Sequence, residues 1–325
     1  MNKLFETIKN IFSIEELRDR IINTIGFLVI FRLGSFVVLP GIDPSKLQQS
    51  AGGIFGLLDT FLGGAFSNAS IFALGIMPYI SASIVVQLLG VAMPYFQKLQ
   101  KEGDSGRKKM TQITRYLTIV ICMFQSTAYI SGTIPPEAIL VENKFLFTLS
   151  SLVILTSGTI FCMWLGEKIT DKGIGNGISL LITVGIIATM PLSFVQEFVS
   201  RVTENNGGLI MILVELVIWI IVNGLCVLLV LAVRQIPVQY ARRTAAGGYA
   251  KNQGGARQYI PLKLNASGVM PIIFAQAIMF APAYLGQAIG NNAVGQWMQA
   301  SFSDIFGLWY NVLFGVLIIV FTFFY

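Results

Sequence analysis

Three alternating glycines are the residues in this chain that look most like a chemical motif. Gly173, Gly175 and Gly177 lie in the run 164–179, between two long apolar stretches. A glycine-rich turn can cradle a phosphate, but a phosphate loop also needs a preceding strand and a Lys followed by Ser or Thr. The sequence around these glycines has neither. We therefore interpret them as a close-packed entry into a helix, because glycine lets two backbones approach each other.

Side chains for covalent catalysis are almost missing from the apolar stretches. The chain has no histidine, which excludes zinc–histidine motifs, and no pair of aspartates lies inside an apolar stretch. Cys122, Cys162 and Cys226 all fall within such stretches, where we expect buried packing roles. Arg32 also lies in one, and we expect it to bond backbone carbonyls or a neighbouring helix. The sequence therefore predicts no enzyme activity, no metal site and no cofactor.

The apolar stretches themselves predict an all-α polytopic membrane protein. Of the 325 residues, 54% are hydrophobic and 12% charged, against about 25% charged in soluble domains. The apolar runs are near the 20 residues that a membrane-spanning helix needs. We predict eight spans, at residues 21–39, 71–91, 116–134, 145–165, 178–195, 209–233, 268–289 and 306–325. Residues 1–20 are predicted to form an amphipathic helix on the cytoplasmic surface.

The distribution of basic residues predicts the orientation of these spans. With the N-terminus inside, segments 1–20, 92–115, 166–177 and 234–267 hold 18 of the 22 Lys and Arg residues. The outer loops hold only Lys46, Lys144 and Arg201. Cytoplasmic loops of membrane proteins carry such an excess. We therefore expect a multi-pass protein whose N-terminus is cytoplasmic.

A short apolar segment, 54–61, precedes the second span. Its eight residues are too few to cross a bilayer as a helix, so it must be buried in protein or line a cavity. The span behind it carries Pro78 and the small polar residues Ser81 and Ser83. A short movable segment in front of a partly polar helix suggests a channel that this segment can block.

Four stretches resemble the SecY family, the membrane subunit of the protein-conducting channel. They are residues 40–42, 54–61, 69–83 and 164–179. The resemblance implies an inverted-repeat helical bundle, with a first half-bundle at 21–195 and a partial second half-bundle at 196–325. It also implies a plug at 53–66, which includes the short apolar segment 54–61. The plug residues would be Ile54, Phe55, Leu57, Leu58 and Phe61.

Pairs of isoleucines match the constriction of that family. Ile76 and Ile80 share one helix face, as do Ile178 and Ile182, and Ile273 follows Pro271. Periodicity alone favours ordinary packing for such pairs. The resemblance implies that all five form a pore ring, whose aliphatic side chains offer a passing chain no hydrogen bonds and exclude ions by dewetting.

Three amides within the spans are candidates for a lateral gate. Gln87, Gln125 and Gln276 lie in spans that border this gate in the family. Buried amides must meet each other or water, and polar residues along a seam would make the seam separable. Ordinary interhelical hydrogen bonds, worth about 1 kcal/mol each, are the alternative.

The loop 234–267 is the main soluble feature of the sequence. It carries six basic residues and no acidic one, and its pattern allows a β-hairpin. Such a patch suits phosphate groups of RNA or lipids, although positive-inside bias explains part of it. The resemblance implies docking of a ribosome or motor ATPase here. The candidate docking residues are Arg242, Arg243, Lys251, Arg257 and Lys263, and segment 98–115 is a weaker basic loop.

The resemblance also implies partners and a location. The partners would be SecE-like and SecG-like small membrane subunits, the ribosome through its rRNA, the SecA motor ATPase, signal sequences and nascent chains, and membrane lipids. The location would be the bacterial inner membrane. The family continues beyond Tyr325 with a loop and two more spans, so we expect residues 1–325 alone not to form a complete channel.

Two other functions compete with the channel hypothesis. A secondary transporter also uses broken helices and inverted repeats, but it would need ionisable groups near the midplane, and Arg32 is almost the only one. An intramembrane enzyme would need the catalytic side chains that are missing here.

Overall fold

Helices make up most of the described chain. The computed structural model describes residues 6, 12–47, 56, 59–60, 62–203, 208–238, 258–265, 268, 271–272, 274–276, 278–279, 292–304 and 306–324. Its α-helices include α1 (Glu15–Gly34), α2 (Met77–Ala92), α3 (Pro94–Lys101), α4 (Asp104–Thr133), α5 (Lys144–Lys172), α6 (Gly177–Thr203), α7 (Gly208–Leu231), α8 (Ala293–Ser303) and α9 (Leu308–Phe324). Strands β1 (Val233–Val238) and β2 (Gln258–Lys263) form an antiparallel pair.

Long apolar helices are present where the sequence predicts membrane spans. Within the described residues, three helices are long and apolar enough to cross a membrane, at Lys144–Lys172, Gly177–Arg201 and Ile210–Leu231. The bent pair α2–α3 would make a fourth if it is counted as one span, and Leu308–Phe323 is a shorter apolar helix. The predicted total of eight spans stays a prediction.

The first predicted span ends earlier, and the second begins later, than the sequence pattern predicts. α1 stops at Gly34, and the chain then runs extended to meet residues 69–71, with Leu39 N donating to Ala69 O at 2.9 Å and Ile71 N to Val37 O at 2.9 Å. Residues 71–76 are turns, and α2 begins only at Met77. Apolar composition alone does not distinguish such buried turns from helix.

The segment 98–115, expected to be a loop, is mostly helical. α3 leaves α2 at an angle of 99°, with Pro94 in its first turn, a position that proline favours. Gln97 Nε2 donates to Val91 O at 2.7 Å across the bend. Gly103, at φ 70°, then turns the chain into α4, and only Glu102 and Gly103 separate the two helices.

An ion pair joins α4 to α5 near their polar ends. Arg115 Nε and Nη2 donate to the two carboxylate oxygens of Glu167 at 3.2 and 2.6 Å. The two residues are 52 positions apart in the sequence, so the pair is a contact between distant parts of the chain. Two parallel bonds of this kind fix the geometry of a guanidinium and a carboxylate.

Breaking this pair should loosen the α4–α5 contact modestly. For Arg115→Ala we expect a loss of about 0.5–1 kcal/mol in the free energy of unfolding, since 46% of the Arg115 side chain is exposed and solvent screens the attraction. The charge-swapped double variant Arg115→Glu, Glu167→Arg should regain most of the loss. Thermal unfolding of the detergent-purified protein measures both, and equal losses in the single and double variants would contradict the pairing.

The described chain divides into two units, 1–194 with 273–318, and 195–272 with 319–325. In the first unit, α4 packs against α2 and α5, and α1 packs against α5. Large fully buried side chains lie in this packing, among them Phe66, Tyr129, Phe147, Leu155 and Tyr310. This unit holds every residue of the candidate site described below.

The second unit contains α7 and the β-hairpin. Arg201 donates to Glu197 at 2.7 Å and to Glu215 of α7 at 2.6 Å. The pairing of Ile236 with Ile260 sets the hairpin register, so the predicted hairpin is confirmed in its strands.

Nothing in the span Ile210–Leu231 is buried within the described chain. Cys226 is therefore exposed on α7, and the expected burial of this cysteine is wrong.

The three alternating glycines form the close-packed junction that the sequence predicts. A Cβ at Gly177 would collide with the carbonyl of Gly166 on α5, and one at Gly173 would collide with the carbonyl of Ile169. Gly175 has φ +73°, which favours glycine. Gly177 N donates to Thr170 Oγ1 at 2.9 Å. The junction thereby fixes how α6, with its two isoleucines, leaves α5.

Candidate channel constriction

A small apolar cavity lies where α1, α2 and α6 meet. Its volume is about 30 Å³, a space on the scale of one or two water molecules. The lining residues are Phe31, Leu62, Ile76, Met77, Ile80, Leu181, Ile182 and Gln276. Seven of these side chains are apolar, so water inside would find few hydrogen-bond partners.

Three of the five predicted ring residues line this cavity. Ile76 directly precedes α2, Ile80 lies in the first turn of α2, and Ile182 lies in the second turn of α6. Ile178 is not part of the lining, and its Cγ1 lies 3.0 Å from the position a Cβ would take at Gly166 of α5. Ile273 lies outside the described residues.

Four other apolar residues of the lining were not among the predicted ring. Met77 and Leu181 are chain neighbours of ring isoleucines, and Phe31 comes from α1. Leu62 follows directly after the predicted plug segment. The resemblance pointed only to isoleucines, whereas a cavity is lined by whatever side chain the neighbouring helices bring to it.

The predicted plug residues Ile54, Phe55, Leu57, Leu58 and Phe61 lie outside the described residues. Their described neighbours Gly56, Asp59, Thr60 and Leu62 are helical, and Thr60 Oγ1 donates to Gly56 O at 2.9 Å. Leu62 is 5% exposed and reaches the cavity. The chain directly after the apolar segment 54–61 therefore contacts the same cavity as Ile76, Ile80 and Ile182.

Residues 62–70 and Asp59 form a folded block that we call the plug base. One carboxylate oxygen of Asp59 accepts from Phe66 N at 3.1 Å and Ser67 N at 3.0 Å, and the other accepts from Ser67 Oγ at 2.7 Å. Gly63 and Gly64 turn the chain with φ of 65° and 87°. A single carboxylate thus closes the loop from Asp59 to Ser67.

Two side chains from neighbouring helices hold the plug base. Arg32 Nη1 donates to Gly63 O at 2.6 Å, and its guanidinium lies 4.6 Å from the ring centroid of Phe36. This confirms the expected bond of Arg32 to a backbone carbonyl. On the other side, Tyr129 of α4 donates its hydroxyl to Phe66 O at 2.7 Å, and their rings meet edge to face at 4.7 Å.

The Tyr129 hydroxyl should contribute measurably to this packing. Tyr129→Phe removes one of two donors to the Phe66 carbonyl, which keeps the bond from Ala69 N at 3.2 Å, so we expect a loss of about 0.5–1.5 kcal/mol in the free energy of unfolding. Tyr116→Phe, at a tyrosine that is 71% exposed on the same helix, is the matched control and should change little. Equal unfolding temperatures for the two variants would contradict the role of Tyr129.

The three candidate gate amides occupy different surroundings. Gln276 is buried and lines the cavity. Gln87 Nε2 lies 3.4 Å from Ser83 Oγ, one turn earlier on α2, and Gln125 is half-buried on α4. Among the described hydrogen bonds, none joins two of these amides. Their role at a gate stays a prediction.

Of the candidate docking residues, only Lys263 is described. It ends β2 and pairs with Val233 across the hairpin, and Arg234 extends from the opposite strand. Arg242, Arg243, Lys251 and Arg257 lie outside the described residues. The docking surface therefore stays a prediction.

Comparison with known proteins identifies the family. The SecY family model matches residues 70–325. The protein translocase subunit SecY of Streptomyces scabiei is 39% identical over 330 residues, covering 97% of this chain and 74% of that protein.

Solved channel structures share the fold. Sec61 in the canine ribosome–channel complex from the endoplasmic reticulum is similar with a TM-score of 0.60 at 20% identity, over 84% of this chain and 59% of that chain. A SecY structure from a study of the plug domain gives a TM-score of 0.59 at 20% identity, over 86% and 61%. The chain thus spans about three fifths of these solved chains, and the all-α polytopic fold class is confirmed. The chain belongs to the SecY family, and it is a protein-conducting channel subunit of a translocase rather than an enzyme.

Proposed function

We propose that this chain is the central channel subunit of the general secretory translocon. It would pass unfolded secretory proteins across the membrane and release transmembrane helices sideways into the lipid. The observation that carries the proposal is the cavity at which Ile76, Ile80 and Ile182 meet Leu62, the residue directly after the plug segment. In this proposal, the isoleucines of the constriction contact the end of the plug segment at this cavity.

The chemistry of the constriction suits a passing polypeptide. Aliphatic side chains form no hydrogen bonds with an extended chain, so they do not hold it in place. When the passage is empty, a narrow apolar space is dry and blocks ions. Ile178 and Ile273 complete the ring in this proposal.

Opening would be a population shift between two states. The closed state, with plug residues 54–61 in the passage, dominates at rest. A signal sequence that fills the lateral gate favours the open state in proportion to its differential affinity. The gate would separate along Gln87, Gln125 and Gln276, where amides in place of aliphatic packing weaken the seam.

Partner proteins would supply the energy for transport. The basic hairpin, with Arg234 and Lys263 at its described end, would dock the ribosome or the SecA motor. SecE-like and SecG-like subunits would cover apolar faces such as α7. The excess of basic residues in the segments 1–20, 92–115, 166–177 and 234–267 supports a cytoplasmic N-terminus. The similarity to bacterial SecY subunits supports a bacterial inner membrane.

Transport into vesicles tests this function. The complete complex is reconstituted with a motor ATPase, ATP and an unfolded secretory protein that carries a signal sequence. We expect protease-protected secretory protein inside the vesicles, and none when the signal sequence is deleted. Solute uptake without protein transport would contradict the proposal and favour a transporter.

A further inference from the structure

A sharp turn between α8 and α9 brings two tryptophans together. Asp304 directly follows α8; its carboxylate accepts from Phe306 N at 3.0 Å and its carbonyl accepts from Gly307 N at 3.1 Å. α9 begins at the next residue. The ring centroid of Trp309, in the first turn of α9, lies 6.3 Å from that of Trp297 on α8. The turn therefore holds the two indole rings side by side.

α8 has three different faces. Gly295 is buried and Phe302 packs against the buried core cluster, so these two residues mark the packed face. Val294 and Trp297, three residues apart, share a second face that is exposed and apolar. Gln296 is also exposed, but it is turned about 100° around the helix from Trp297. One packed, one apolar and one polar face are typical of a helix that lies in a membrane interface.

Exposed apolar side chains cluster around the turn, and we call this cluster the outer aromatic patch. Its members have exposed fractions from 52% to 91% and are Val294, Trp297, Phe306, Leu308 and Trp309. The patch continues along α9, where Val312 and Val316 are exposed as well. Clustered exposed apolar side chains mark a contact with another protein or with a membrane.

Composition and position favour a membrane as the contact. Asp304 is the only charged residue from 264 to 325 in the sequence, and its carboxylate accepts a bond within the turn. Tryptophan concentrates at the boundary between lipid and water because its ring is apolar and its indole N–H is polar. The patch also adjoins the exposed side of a predicted span, so the edge of the bilayer meets the chain at the first turn of α9.

We propose that α8 lies in the outer interface of the bilayer and that the outer aromatic patch inserts at the level of the lipid headgroups. The partner is the headgroup layer of zwitterionic lipid, bound through apolar rings and indole N–H groups and not through charge. The patch thereby fixes the depth of the outer end of α9. This inference rests on the predicted spans and their orientation, and it does not depend on the channel function.

Spin labels on single cysteines measure the depth of the patch. Val294→Cys and Leu308→Cys probe the patch and leave both tryptophans in place. Each is made in a chain whose exposed Cys226 is changed to Ala, within a complete complex that has no other reactive cysteine. The complex is placed in phosphatidylcholine vesicles, where oxygen reports contact with lipid and a water-soluble nickel complex reports contact with water.

Two further positions calibrate the measurement. Val316→Cys lies on α9 eight residues after Leu308, so its label should be about 12 Å deeper in the bilayer. Gln296→Cys lies on the polar face of α8, so its label should be open to the nickel complex. We expect the labels at Val294 and Leu308 to lie at headgroup depth, between these two, and to keep that depth when anionic lipid is added.

Replacing the tryptophans tests whether their rings hold the patch in the interface. With Trp297→Gln and Trp309→Gln together, contact of the Val294 label with the nickel complex should rise roughly threefold, since glutamine lacks an apolar ring. Trp297→Tyr with Trp309→Tyr keeps amphipathic rings and should change little. If the two double variants behave alike, the indole rings do not anchor the patch.

The depth measured with both tryptophans present is decisive even if the glutamine variant does not fold. A label at Val294 that is as open to the nickel complex as one at Gln296 would place the patch in water and overturn the proposal. Labels at Val294 and Leu308 that neither reagent reaches would show that another protein covers the patch, which also overturns it. A depth that changes on adding anionic lipid would contradict binding without charge.

Discussion

Replacing Ile80 by asparagine should make the resting channel leak ions. The Ile80 side chain is 8% exposed and lines a cavity with almost no polar partner. A buried amide without a partner costs about 1–3 kcal/mol, so the variant is expected to draw water into the constriction. We expect resting conductance in planar bilayers to rise about tenfold, the change that ~1.4 kcal/mol produces, together with relaxed selectivity for signal sequences.

Two controls define this result. Ile80→Leu keeps an apolar side chain of the same volume and should keep the channel tight. Val85→Asn places the same amide on α2 at an outward-facing site, 40% exposed, and should not raise conductance. If Ile80→Asn conducts no better than Val85→Asn, Ile80 does not form part of the seal.

Replacing Gly177 by alanine should strongly destabilise the packing of α5 against α6. The added methyl group would meet the Gly166 carbonyl and, at 2.7 Å, Ile169 Cβ. Backbone cannot rotate away as a side chain can, so α5 and α6 must separate. We expect a loss of about 2–3 kcal/mol in the free energy of unfolding, measured as a lower unfolding temperature of the detergent-purified complex.

Gly26→Ala is the matched control for Gly177→Ala. Gly26 also lies in a helix, but a Cβ there would meet nothing within 4 Å. Alanine is the better helix former by about 1 kcal/mol, so this variant should be as stable as the parent or more so. Equal losses at the two positions would show that the glycine junction is not close-packed.

The sequence predicted best those structural features that depend on residues close together in the chain. Alternating glycines predicted a tight helix junction, whereas the isoleucines that line the cavity were singled out by the family resemblance and not by their spacing, which alone favoured ordinary packing. The β-hairpin followed from alternation in the basic loop. In each case the residues that carry the signal are neighbours in the chain, so their spacing reflects the geometry directly.

Contacts between distant residues could not be predicted in the same way. Nothing near Glu167 in sequence points to Arg115, and nothing near Gly63 points to Arg32 in particular. The turns at 71–76 are as apolar as a membrane helix because they are buried in protein. Their apolar composition indicates that these residues are buried. It does not indicate whether the buried backbone is a helix or a series of turns.

Photocrosslinking from the ring tests the central claim most directly, namely that the cavity is the constriction through which a polypeptide passes. A photoreactive residue is placed in turn at Ile76, Ile80 and Ile182, and, as a lipid-facing control, at Val217 of α7. A radiolabelled secretory chain is stalled in the complete channel and irradiated. We predict adducts from all three ring positions and none from Val217. Equal adducts at all four positions, or adducts only at Val217, would contradict the account.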